Sequence, residues 1–231
     1  MLVSHLGDSS YWHFITRLGE VQLLLPAALW ACLALLHQPG TRLFATRWLQ
    51  ALGVAALLTT GSKIAFIGWG IGSAAWDFTG ISGHAMFASA IFPLLMATLT
   101  CRLPTGWQKA AVLASFALVV LVGVSRIMVG AHSVSEVLAG LLVGGAASAF
   151  AIWQVGLPRA RLNLYVPLVA VVWLVAAPLQ APQLPTHSLV TRLALVLSGH
   201  AKPHTRTDML RKARMADTAQ PAQAGVSAPA Q

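Results

Sequence analysis

Residues 125–136 read SRIMVGAHSVSE, a polar stretch set between two apolar runs at 107–124 and 135–156. An arginine, a histidine and a carboxylate (Arg126, His132 and Glu136) fall within eleven positions. Their rarity gives them weight. Between Val21 and Thr207 the chain holds only two carboxylates, Asp77 and Glu136. The whole chain of 231 residues is 57% hydrophobic and 9% charged, with a mean hydropathy of +0.72. That composition describes a polytopic membrane protein. In an apolar background each charge costs a few kcal/mol, so the charges that remain point to function.

Outward from that stretch, six apolar runs approach the roughly 20 residues that a helix needs to cross a bilayer. They lie at 21–37, 48–70, 84–101, 107–124, 135–156 and 164–179. The expected fold is an all-α membrane bundle of about six helices, with 1–20 as a polar N-terminal segment and 21–182 as the membrane body. Residues 1–20 carry no continuous apolar core of the kind a cleavable signal needs. Residues 183–199 are expected to form an interfacial amphipathic segment, since Arg192 interrupts a short apolar run. Residues 200–231 form a basic tail, expected to be disordered beyond Met215, where Ala, Gln and Pro dominate. Small residues in the fifth run (Gly140, Gly144, Gly145, Ala146, Ala147) allow close helix contact. Cys32 and Cys101 lie in or beside apolar runs and are read as packing residues without a disulfide.

With six crossings, one set of loops holds Arg42, Arg47, Arg102, Lys109, Arg159 and Arg161. The positive-inside rule assigns this set to the cytoplasm. The residues around Ser82 and around Arg126 then share the external face, together with both termini. The net charge of +9 is concentrated partly in the tail. It suits anionic lipid headgroups better than nucleic acid, because the body has no basic face to track a backbone.

These residues suit phosphate chemistry. Arg126 offers a planar fork to phosphoryl oxygens, and Lys63 offers a point charge. Ser82 and the backbone N–H groups at Gly83 and His84 add donors if a helix begins there. His132 and Glu136, four apart, share a helix face. A carboxylate on one imidazole nitrogen fixes the tautomer and directs the other at phosphorus. His84 can protonate a leaving alcohol and then activate water. No metal or other cofactor is required.

The same residues resemble the PAP2 superfamily, the type-2 phosphatidic acid phosphatases with vanadium haloperoxidases and bacterial lipid phosphatases. That family carries a lysine-to-arginine-proline motif, a PSGH motif and an SR-x5-H-x3-D motif. Here the second reads Ile81-Ser82-Gly83-His84, and the third runs Ser125-Arg126, His132, Glu136. The resemblance implies a six-helix bundle, His132 as phosphohistidine nucleophile, His84 as acid and base, and Lys63 and Arg126 as phosphate ligands. There are three departures from the pattern. Ile81 replaces proline, Glu136 replaces aspartate, and the arginine and proline that should follow Lys63 fall at Gly70 and Ile71. Lys202 or Arg206 of the tail is the expected substitute for the lost charge.

The function expected is hydrolysis of a lipid phosphomonoester or diphosphate by an integral inner-membrane enzyme with an external site. Two other classes stay open: a non-catalytic relative that binds lipid phosphate, and a small transporter.

Overall fold

The computed structural model describes residues 9–180 and 186–224. Its helices are α1 (Ser9–Arg17), α2 (Val21–Leu36), α3 (Arg42–Trp69), α4 (Gly83–Leu99), α5 (Thr105–Met128), α6 (Val134–Val155), α7 (Tyr165–Gln180), α8 (Thr186–Ser198) and α9 (Arg206–Ala224). Each of the six apolar runs has become a helix, α2 to α7, and the fold is an all-helical membrane bundle. Four helical stretches, Tyr11–Leu36, α3, α5 and α6, are long and apolar enough to span a bilayer. The described residues divide into two compact units. The first holds α1, α2, α3 as far as Thr60, and α4 to α7. The second holds the last turns of α3, the loop 70–80, α8 and α9.

In the first unit α4 is buried on every side, from Ala85 and Met86 through Leu94, Leu95 and Thr98. A helix that is apolar all round belongs in a core. It is only 17 residues, or about 26 Å at 1.5 Å per residue. Two glycines of α6 let α4 approach. A Cβ on Gly140 would stand 2.6 Å from the Ser82 carbonyl, and one on Gly144 would overlap the Met86 carbonyl. The small residues of the fifth run thus serve the close contact expected of them. Large apolar side chains such as Leu57, Leu142, Trp153 and Val175 remain exposed, as a lipid-facing surface requires. Cys32 and Cys101 are both buried thiols.

In the second unit, Phe66 and Ile67 of α3 pack against Ala194 of α8, with Val190 and Met209 around them. The connection after α8 folds back on the end of α3. The His204 amide donates to the Ile67 carbonyl (2.9 Å), and the His200 ring Nδ1 lies 2.6 Å from the Gly68 carbonyl. Within the loop, Ser73 and Phe78 form a single antiparallel bridge, and Asp77 takes a left-handed φ of 46°.

Two expectations change. The polar N-terminal segment contains α1, because Trp12, Ile15 and Thr16 line one helical face and are buried. The stretch after Met215, expected to be disordered, is helical as far as Ala224. The run RTDMLRKARMADTA is rich in good helix formers, and Thr205 accepts the Asp208 amide at its start. The expected boundary between membrane body and interfacial segment, at 182/183, lies outside the described residues, as do 1–8 and 225–231.

Candidate active site

Three chain ends of the first unit meet: the start of α4, the end of α5 and the start of α6. The meeting is enforced by backbone bonds. The Ser82 amide donates to the Glu136 carbonyl (3.0 Å), tying the start of α4 to the first turn of α6. The Arg126 carbonyl accepts from the amides of Ala131 (3.1 Å) and His132 (3.2 Å), folding the α5–α6 turn over the end of α5. Gly130, at φ 67°, supplies the left-handed residue of that turn.

Glu136 is fully buried and does two jobs. Its Oε2 accepts from His132 Nδ1 at 2.6 Å. The same oxygen accepts the Ser133 amide at 3.3 Å, while the Ser133 hydroxyl accepts the Glu136 amide at 3.4 Å. This is a reciprocal capping box, which fixes both the helix start and the carboxylate. The extra methylene of glutamate over aspartate therefore still reaches the imidazole. With Nδ1 donating to Glu136, Nε2 is the nitrogen suited to nucleophilic attack. The His132 side chain keeps 14% of its surface exposed.

Ser82 is the N-cap of α4, yet its hydroxyl does not cap the helix. It is buried, and its Oγ has no hydrogen-bond partner among the described residues. A buried hydroxyl in that state costs about 1–3 kcal/mol. Arg126 shows the same feature. Its Nη1 donates to Thr16 Oγ1 at 2.7 Å, while its buried Nε has no partner among the described residues. A hydroxyl, a guanidinium N–H and the first amides of α4 therefore belong to the helix ends that meet here, and all are groups suited to an anion. Gly83 is the first residue of α4 and His84 the second, half-buried; Gly19, in the α1–α2 corner, packs against His84. Ser125 is buried and bonds back to the Val122 carbonyl at 2.6 Å, so its role is local.

Ser82, Gly83 and His84 at the start of α4, Arg126 near the end of α5, and His132 and Glu136 at the start of α6 thus sit on the helix ends that these bonds tie together. Lys63, Lys202 and Arg206 belong to the second unit. There Lys63 is half-buried, and a Cβ on Gly80 would stand 3.0 Å from its Cγ. Arg206 donates to Asp77 Oδ2 at 2.6 Å and to Thr79 Oγ1 at 3.4 Å. Lys202 is exposed. Thr16 and Gly19 were not foreseen. The one signal for them is the amphipathic pattern of α1, which buries Thr16 but does not reveal its partner.

The PAP2 superfamily profile matches residues 57–159. A 22.5 kDa protein encoded in the cps region of Klebsiella pneumoniae, itself uncharacterized, is 36% identical over 207 residues, spanning 87% of this chain and 99% of that protein. The chain belongs to the PAP2 superfamily. Phosphatidylglycerophosphatase B of Bacillus subtilis is 35% identical over 70 residues, 29% of this chain and 34% of its own. The crystal structure of a transmembrane PAP2-type phosphatidylglycerolphosphate phosphatase from Bacillus subtilis superimposes with a TM-score of 0.51 at 25% identity, covering 63% of this chain and 75% of that one. The profile includes all the PAP2 motif positions named above, from Lys63 to Glu136.

Proposed function

We propose that this PAP2 protein hydrolyses the phosphomonoester or diphosphate of a membrane lipid through a phosphohistidine on His132, without a metal. The observation that carries the reading is the pairing of a half-buried, oriented imidazole with two unsatisfied anion donors. His132 is held at 2.6 Å by Glu136, and Ser82 Oγ and Arg126 Nε belong to the same helix junction.

The chemistry follows from those groups. Arg126, Ser82 Oγ and the Gly83–His84 amides receive the phosphoryl oxygens, and Lys63 joins them on the strength of the motif alone. His132 Nε2 attacks phosphorus as the P–O bond to the lipid breaks. The lipid oxygen leaves with a proton from His84. His84, now neutral, takes a proton from water as that water attacks the phosphohistidine. Phosphate departs and His132 is restored. Glu136 stabilises the imidazolium that accompanies each transfer.

The positive charge lost at Gly70 is assigned to the tail. In support, the space that a side chain at Gly70 would enter is filled by the His204 ring, 3.1 Å from an ideal Cβ. Arg206 is matched by Asp77, which leaves it a tie for the loop and makes Lys202 the better substitute cation. The protein is read as an inner-membrane enzyme with its site on the external face, because the basic loops lie at the other end of the spans.

Acid-quenched turnover with a 32P-labelled lipid phosphate tests the mechanism. Label should appear on wild-type protein, accumulate in His84→Ala, and vanish with activity in His132→Ala. An active enzyme that never carries label overturns the intermediate. A wild type as inactive as His132→Ala favours the non-catalytic relative.

A further inference from the structure

About 30 Å from Arg126, at the far end of α5 by helix rise, the first unit holds a second anion-suited feature that the phosphatase reading does not use. A groove of about 760 Å³ is lined by Cys101, Arg102, Leu103, Pro104, Thr105, Arg159, Ala160 and Arg161. Three arginines line it, and no carboxylate-bearing residue does among the described residues. Arginines in membrane loops are ordinarily splayed into water, where they orient the protein. Here one, though exposed, is tied to a neighbouring helix start. Arg159, from the α6–α7 connection, donates to the Thr105 hydroxyl at the start of α5.

The walls are fixed by buried polar bonds. Gln108, fully buried, donates to the Ala97 carbonyl (2.8 Å) and the Pro158 carbonyl (2.9 Å), tying α5 to the end of α4 and to the α6–α7 connection. The Cys101 thiol donates to the Ala160 carbonyl at 3.3 Å. Gathering three like charges is unfavourable unless an anion meets them, and pre-set walls lower the ordering cost of binding one. Beside the groove Leu103 is half exposed, and Trp107, in the first turn of α5, is 70% exposed, the pattern that suits a membrane–water boundary. That is the depth of a phospholipid headgroup, with apolar surface beside it for acyl chains.

We propose that the Arg102–Arg159–Arg161 groove is a binding site for the headgroup phosphate of an anionic phospholipid, separate from the catalytic junction. The proposal stands whether or not the phosphatase reading does. Full-length protein, in nanodiscs of phosphatidylglycerol mixed with phosphatidylcholine, is transferred to native mass spectrometry to count retained lipid. Wild type should retain phosphatidylglycerol at least tenfold over phosphatidylcholine. Replacing all three arginines by glutamine should abolish the preference. Replacing all three by lysine keeps the charge that sets membrane orientation but removes the planar fork, and should cut retention several-fold. Arg126→Ala should keep full retention, which separates this site from the catalytic one. Millimolar inorganic phosphate should displace little of the lipid. Equal retention in the wild type and the glutamine variant, loss in Arg126→Ala, or full displacement by inorganic phosphate would each overturn the proposal. The glutamine and lysine variants should both keep the wild-type thermal unfolding profile in detergent, showing that the protein is folded.

Discussion

At the level of single residues, the site rests on a few atoms whose partners are set. Glu136→Gln keeps the shape of the 2.6 Å contact with His132 but removes the negative charge. Turnover should fall about 10²- to 10⁴-fold, with the substrate KM little changed. Glu136→Asp should retain much more activity, because the family places aspartate at this position. Ser82→Ala removes a buried, partnerless hydroxyl. Its expected signature is unusual: the melting temperature rises or holds, while kcat/KM drops about tenfold or more through the lost bond to a charged oxygen. A drop in both would mean that the hydroxyl serves the fold instead. The pair His132–Glu136 was legible in the sequence, since i,i+4 spacing at a helix start dictates contact. So was its meeting with Ser82, once both fell at matching ends of successive apolar runs. Thr16 was not legible. Nothing local in α1 tells which of its polar side chains will meet an arginine 110 positions away.

Among the elements, the α4–α6 contact decides how accurately the site is built. Gly144→Ala would place a methyl against the Met86 carbonyl and Ala90 amide, both backbone atoms that cannot swing aside. It should destabilise the protein by about 1–3 kcal/mol, as overpacking does, measured by thermal unfolding in detergent. It should also lower activity by parting Ser82 from Glu136, whereas Gly53→Ala, on a helix face with no neighbour within 4 Å, should do neither. The tail element is the harder one to read from sequence. Its basic, Ala-rich composition resembles a disordered extension, yet it returns to the end of α3 through His200 and His204 and to the loop 70–80 through Arg206. The decisive features are backbone carbonyls of Ile67 and Gly68, which carry no sequence signal at all. Ending the chain after Ser198 removes these ties together with Lys202. Turnover should fall by tenfold or more with α2 to α7 still inserted; unchanged turnover would dismiss the tail as a source of charge.

For the molecule as a whole, the open variable is orientation in the membrane. Six basic residues occupy the connections α2–α3, α4–α5 and α6–α7 or the helix starts beside them. The positive-inside rule counts such short connections most heavily. The tail opposes it with Lys202, Arg206, Arg211, Lys212 and Arg214. Part of that charge is answered locally, Arg206 by Asp77 and Arg211 by Asp208 at 2.9 Å. C-terminal charge also acts after the spans are placed, so the short connections should win. Thiol labelling checks this in intact cells. The native cysteines interfere little: both are buried, and burial pushes the Cys101 thiol up, which lowers its thiolate fraction at neutral pH. Ala131→Cys, exposed in the turn before His132, should react with an impermeant maleimide from outside. Pro39→Cys, exposed between α2 and α3, should react only after lysis. The reverse pattern would turn the catalytic junction toward the cytoplasm, and the enzyme would then draw its lipid phosphate from the inner leaflet.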